Sequence, residues 1–171
     1  MDHLKNKRAY LSGAIEFGEK THNWRVGPID TMTNRFGINV FDPFSDPKEQ
    51  WVEELDKART EKDYAKIRRI AKNFVRKDLC MVDRSDFLIA YMPYKVPTTG
   101  TIHEIVNSNE AKKPTLIVCP QGKENAPVWL WGILPEHYFF SSWDELYTYL
   151  QEVTDGQHSQ DDRWHFCYGL V

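Results

Sequence analysis

Glu104 and Asp78 are the residues of this chain best placed for chemistry, and each admits two readings. Glu104 closes the segment Pro93-Tyr-Lys-Val-Pro-Thr-Thr-Gly-Thr-Ile-His103, which leads from an apolar run into a helical pattern. A carboxylate in the first turn of such a helix can act as a nucleophile or base toward a bound substrate. The same residue completes Thr101-x-x-Glu104, a capping box in which the carboxylate reaches back to the Thr101 amide. Asp78 lies on a helical stripe formed by Ile67, Ile70, Ala71, Phe74, Val75, Leu79 and Val82, at a position the pattern assigns to the buried face. A carboxylate is costly to bury, so Asp78 either pairs with another group or takes part in catalysis. Asp83 and Asp86 flank the following turn and read as caps of its connection to the next strand.

The residues near the N-terminus supply the remaining candidates. Tyr10 precedes Leu11-Ser12-Gly13-Ala14-Ile15-Glu16, and Gly13 would let the backbone approach a ligand closely. Trp24 and Arg25 offer an indole and a guanidinium that can clamp a planar anionic ligand, or an indole that closes the core over a loop. As an isolated residue Tyr10 reads as core, and His103 reads as a surface group on a different helix face from Glu104. Trp129 and Trp131 read as core or as a subunit interface.

Unalternating apolar runs occur at Ala9–Leu11, Ile38–Phe41, Phe87–Met92 and Thr115–Cys119, with a weaker one at Tyr138–Phe140. Such runs suit strands covered on both faces. Helical patterns span Lys48–Arg59, Tyr64–Val82, Thr101–Ala111 and Ser142–Val153, the last opening on a serine followed by an acidic turn. Between Glu16 and Arg35 the residues Gly18, Gly27 and Pro28 interrupt any long helix. The polar stretch Thr154–Asp162 reads as a surface loop, and the aromatic tail 163–171 as packed. Alternation of strands and helices predicts an α/β domain with a parallel sheet of about five strands. Ligands of such sheets bind beyond the carboxyl ends of the strands, where the loops after Leu11, Phe41 and Met92 should lie.

Composition narrows the function further. The 171 residues suit one domain, 1–171, and a formal charge of −3 does not suit a protein of polymeric nucleic acid. No apolar run approaches the roughly 20 residues of a membrane helix, and the polar start at Met1–Arg8 lacks a signal-peptide core. Cys80, Cys119 and Cys167 are far apart and odd in number, and the six histidines show no HExxH or H-x-H grouping. A reduced, cytoplasmic location without a metal is the expectation. Neither a GxGxxG nor a GxxxxGK[ST] element occurs, which argues against familiar dinucleotide and triphosphate sites. Aromatic residues make up 13% of the chain, including six tryptophans, a surplus that composition alone does not explain.

Four short elements, taken in order, resemble the nucleoside 2-deoxyribosyltransferase superfamily and its hydrolytic relatives, the 2'-deoxynucleoside 5'-phosphate N-hydrolases and pyrimidine-nucleotide N-glycosidases. They are Tyr10-Leu11-Ser12-Gly13, Asp78 followed eight residues later by Asp86, the strand end Tyr91-Met92-Pro93, and Gly100-x-x-x-Glu104. The resemblance runs from Arg8 to about Cys119, with weaker echoes at Pro127–Gly132 and Phe166–Val171. It implies a flavodoxin-like three-layer sandwich, cleavage or transfer at the N-glycosidic bond of a (deoxy)nucleoside or its monophosphate, and no cofactor. Glu104 would then be the nucleophile, Tyr10 would orient it, and Asp78 would contact the base and help protonate the leaving nitrogen. Ser12, Gly13, Ile15 and Glu16 would line the sugar or phosphate, with Trp24, Arg25, Thr98 and Gly100 completing the substrate site. The resemblance also implies a homo-oligomer with the site near a subunit interface. Two features depart from the family pattern. Thr98 and Thr99 stand where the transferases usually carry an acidic residue, and the loop holding Glu16, His22, Trp24 and Arg25 is longer than in the smallest relatives. A non-catalytic nucleotide-sensing module on the same fold is the alternative. Cleavage of another N-glycoside, such as nicotinamide from NAD, is the weaker third reading.

Overall fold

A computed structural model describes residues 2–14, 23–44, 49–96 and 98–169. Five strands form one sheet: β1 (Arg8–Gly13), β2 (Asn39–Phe41), β3 (Phe87–Tyr91), β4 (Thr115–Val118) and β5 (Phe139–Phe140). Their order is β2-β1-β3-β4-β5, and every pairing is parallel. This is the flavodoxin-like doubly wound order, whose direction of winding reverses between β1 and β3. The helices are α1 (Val26–Phe36), α2 (Glu49–Thr60), α3 (Tyr64–Arg84), α4 (Thr99–Glu110), α5 (Val128–Ile133), α6 (Trp143–Thr154) and α7 (His165–Tyr168). Among the described residues no helix is long and apolar enough to cross a membrane.

Alternation along each strand sorts the core into two layers. Ala9, Leu11, Phe87, Ile89, Leu116, Val118 and Phe140 face Met32 and Phe36 of α1, Leu146, Tyr149, Leu150 and Val153 of α6, and Trp164. Leu88, Ala90, Met92, Ile117, Cys119 and Phe139 face Val82 of α3, Ile105 of α4, and Leu130 and Leu134 in and after α5. Tyr10 belongs to this second face, so Ser12, two residues on, faces the same way. The strand therefore aims Tyr10 and Ser12 at the α3–α4 layer before any site is considered.

The helix bounds show where local signals mislead. α1 contains Gly27 and Pro28, which the sequence reading takes as interruptions. Pro28 occupies the first turn, where a helix leaves its N–H groups without intrahelical acceptors, so a missing donor does no harm. The helix ends on Gly37 at φ 66°, whose N–H bonds to the Met32 and Thr33 carbonyls in a left-handed cap. α4 begins at Thr99 rather than Thr101, which matters for Glu104 below. Asp86 does not cap the turn before β3. It accepts the Arg8 amide at 2.7 Å and its guanidinium at 2.8 Å, tying the start of β1 to the start of β3. Ser142 is the expected N-cap of α6, accepting from the Glu145 amide at 3.2 Å. Trp164 is fully buried against Phe87, so the tail contributes this residue to the core, while Phe166 stays exposed.

Gly37→Ala should lower stability by about 1 kcal/mol, because alanine resists positive φ. A urea titration should show a lower midpoint with an unchanged slope. An unchanged midpoint would mean that the cap does not hold this end of α1.

Candidate functional site

The sheet reverses its winding between β1 and β3, and the carboxyl ends of these strands bound the crevice that such folds offer to ligands. Glu104 stands there. Its carboxylate accepts the Tyr10 hydroxyl at 2.8 Å through Oε1 and the Ser12 hydroxyl through Oε2. All three side chains are buried. The capping-box reading fails for a simple geometric reason. With Thr98 as N-cap and Thr99 as the first helical residue, Thr101 lies inside the helix and Glu104 lies past its first turn. A residue there cannot cap the N-terminus, and both of its oxygens turn to β1 instead.

Asp78 is buried on α3, on the face that also carries Ile70 and Val82. Its charge acts on both Tyr10 and Glu104, so the helix stripe brings it into the same electrostatic neighbourhood. Arg25, just before α1, contributes the opposing charge. The guanidinium is 2% exposed and points inward. One terminal nitrogen donates to the Leu11 carbonyl at 2.7 Å and to Asp42 at 3.2 Å, and the other to the Gly13 carbonyl at 3.3 Å. Arg25 is thus engaged with the chain itself rather than presented as a clamp for a ligand.

Burial dominates the ionisation of Glu104 and pushes its pKa above the ordinary carboxylate value. Two hydroxyl donors and Arg25 oppose that shift, while Asp78 reinforces it. The balance is reasonable in magnitude. Burying a carboxylate costs several kcal/mol, whereas a hydrogen bond to a charged group offsets about 1.5–3 kcal/mol. Two such bonds nearly compensate, leaving an acid that ionises late but remains able to ionise. The Tyr10 hydroxyl is shifted upward, first by burial and then by the negative charges of Glu104 and Asp78. It therefore stays a hydrogen-bond donor.

On the opposite face of the same strand ends lies an aromatic wall. Trp24 stacks on Tyr91 with centroids 4.4 Å apart, and Trp143 stacks on both at 5.8 and 5.7 Å. Trp24 covers Gly13 so closely that an added Cβ would sit 2.5 Å from its ring, which explains a glycine at this position. Trp24 therefore closes the core over the strand end. Gly100 and Thr98 lie at the start of α4; a Cβ on Gly100 would meet open space among the described residues outside its own helix backbone and chain neighbours. Ile15 and Glu16 lie outside the described residues.

The structure brings Tyr10, Ser12, Arg25, Asp78 and Glu104 together. Trp24 and Gly13 form the neighbouring wall, and Thr98 and Gly100 open the helix that carries Glu104. The sequence reading missed the hydroxyl pairing of Ser12 with Glu104, the anchoring of Arg25 by Asp42, and the contribution of Trp143. The first had a local signal, because Ser12 follows Tyr10 at strand spacing. The other two depend on contacts between distant segments.

The fold is shared with a 2-deoxyribosyltransferase. The enzyme, from Bacillus psychrosaccharolyticus, superposes with a TM-score of 0.55 at 21% identity, over 84% of this chain and 95% of that one. No protein-family model matches the chain, and neither does any curated protein sequence. At this identity the comparison carries the architecture, which agrees with the predicted α/β sandwich of five parallel strands.

Glu104 should also leave a signature in stability. Its folded pKa lies above the ordinary value, so the native state holds this proton more tightly than the unfolded chain does. Stability therefore falls as pH rises from the ordinary carboxylate range through the folded pKa. Glu104→Gln, which keeps the shape without the charge, should be more stable than the wild type near pH 7. That advantage should shrink to nothing below about pH 4, the ordinary range of a glutamate. Thermal melts of both proteins across this range would show it. A variant less stable at neutral pH would mean that the charged form is the better accommodated one.

Proposed function

We propose that this protein cleaves or transfers at the N-glycosidic bond of a (deoxy)nucleoside or nucleoside monophosphate, with Glu104 as nucleophile. One observation carries the reading: a buried carboxylate at the winding reversal of the sheet, with each oxygen held by a hydroxyl of β1. Purely structural burial of a charge is costly, whereas a nucleophile must be desolvated and aimed. The shared fold of a 2-deoxyribosyltransferase is consistent with it.

The chemistry is that of a retaining glycosidase. An ionised Glu104 oxygen attacks the anomeric carbon as the carbon–nitrogen bond breaks. The electron pair leaves with the base, whose departing nitrogen takes the single proton that the neighbouring Asp78 and Glu104 carboxyls share, held on Asp78 in the reactive form. The sugar is then an ester of Glu104. In the second half-reaction water or a second base attacks the anomeric carbon, gives a proton to Asp78 and releases Glu104 as carboxylate. Tyr10 and Ser12 hold the nucleophile throughout, and their donation keeps it ionisable despite burial. Ser12, Gly13, Ile15 and Glu16 are assigned to the sugar or phosphate, and Thr98 and Gly100 to the rest of the substrate. Thr98 and Thr99 place two neutral residues where an acidic base contact is usual in the transferases, which favours water as acceptor.

The same reading carries a homo-oligomer with the site near a subunit contact, to be checked by light scattering. Val128 and Trp129, 86% and 75% exposed on α5, are apolar surface available for it.

Nucleosides and their monophosphates, incubated with and without a second base and resolved by chromatography, test the activity. Free base is expected from at least one of them. Release without an added base identifies a hydrolase, and release only with one identifies a transferase. Glu104→Gln should fold and lose activity by at least roughly a thousandfold. Wild-type release by that variant would refute the nucleophile. Tight binding of a nucleotide without turnover by the wild type would instead support a sensing module.

A further inference from the structure

We propose that Arg25 is a positioning residue for this reaction, a buried clamp that fixes the Ser12 hydroxyl on Glu104. The inference rests on the reading of Glu104 as nucleophile and adds to it a residue that touches neither the substrate nor the carboxylate. Arg25 donates to the carbonyls of Leu11 and Gly13, which flank Ser12 on either side. A planar fork bridging two carbonyls two residues apart holds the intervening residue in one orientation. That residue supplies one of the two hydroxyls on Glu104.

The clamp is itself held from three directions. Asp42, just after β2, accepts from it at 3.2 Å and is in turn held by the Phe44 amide at 3.0 Å. The Trp24 ring lies 4.5 Å from the guanidinium carbon, and the Phe44 ring lies 4.9 Å from it. Indole, phenyl ring and carboxylate thus leave the guanidinium little freedom, and Trp24 in turn rests on Gly13. The outcome is a chain of contacts from β2 through Arg25 to the end of β1, and from there to the nucleophile.

A buried cation also acts through space. Among the described residues, the groups that act on Glu104 are Tyr10 and Ser12 from β1, Asp78 from α3 and Arg25 from the turn before α1. Arg25 is the cation among them, so removing it leaves only the two hydroxyls to offset burial and the charge of Asp78. Asp42 sustains the charge of Arg25 against the cost of its burial.

The test uses the full chain with ¹³C-labelled glutamate. The Glu104 carboxyl resonance, assigned by its loss in Glu104→Gln, is titrated in the wild type, Arg25→Met and Arg25→Lys. Arg25→Met should move the Glu104 midpoint to higher pH and shift the acid limb of the kcat/KM profile by the same amount. Its kcat should fall by on the order of tenfold to a hundredfold, as expected for a displaced catalytic group. Arg25→Lys keeps the charge without the fork, so it should restore the midpoint and not kcat. A folded Arg25→Met protein with an unmoved midpoint overturns the proposal. If that variant does not fold, Arg25→Lys decides: a kcat lowered at least about tenfold at a wild-type midpoint supports the clamp, and any other result overturns it. If the midpoints move as expected but the wild type releases no base from any nucleoside or monophosphate, the proposed reaction fails while the clamp on Glu104 stands.

Discussion

The contact between the Glu104 carboxylate and two hydroxyls of β1 is the constraint on which the rest of the site depends. It requires β1 to present alternate residues to the α3–α4 layer and α4 to start early enough that Glu104 lies past its first turn. It also requires β1 and β3 to be neighbours at the point where the winding of the sheet reverses. Each condition comes from ordinary strand and helix geometry. Their conjunction puts a charge where apolar side chains would pack more cheaply. Tyr10, Ser12 and Arg25 make that charge tolerable, while Asp78 makes it less so. A site tuned in this way exchanges stability for a carboxylate that is dry, oriented and still able to ionise.

One face and one edge of β1 divide the labour. Tyr10 and Ser12 look toward Glu104, while Leu11 and Gly13 offer their main-chain carbonyls to Arg25. Above Gly13, Trp24, Tyr91 and Trp143 build a stack that joins the end of the first strand to the start of α6. The aromatic surplus of the chain is therefore largely internal. Trp24 and Trp143 belong to this stack, Trp164 to the core, and Trp131 lies against Phe139 with centroids 3.9 Å apart. Trp129 is the one of these five that stands largely in solvent.

The architecture was legible because its signals are local. Unbroken apolar runs marked the strands, and the stripe ending at Val82 marked α3 together with the misfit at Asp78. α1 was obscured by Gly27 and Pro28, whose effect depends on where the helix begins, and that start is set by tertiary packing. The capping-box reading of Glu104 had the same origin. Thr101-x-x-Glu104 is a valid local pattern, defeated by a helix that starts two residues earlier. Tyr10 as the partner of Glu104 came from resemblance to a family and not from spacing. The role of Arg25 was hidden more deeply, because its acceptors are main-chain carbonyls, which no residue type announces.

The central claim is that Glu104 carries the sugar in mid-reaction. Rapid acid quenching during turnover of a nucleoside substrate, followed by peptide mass spectrometry, tests it directly. A glycosyl adduct is expected on the peptide bearing Glu104, absent from Glu104→Gln. Base release that proceeds with no adduct on Glu104, or with the adduct on another residue, would contradict it.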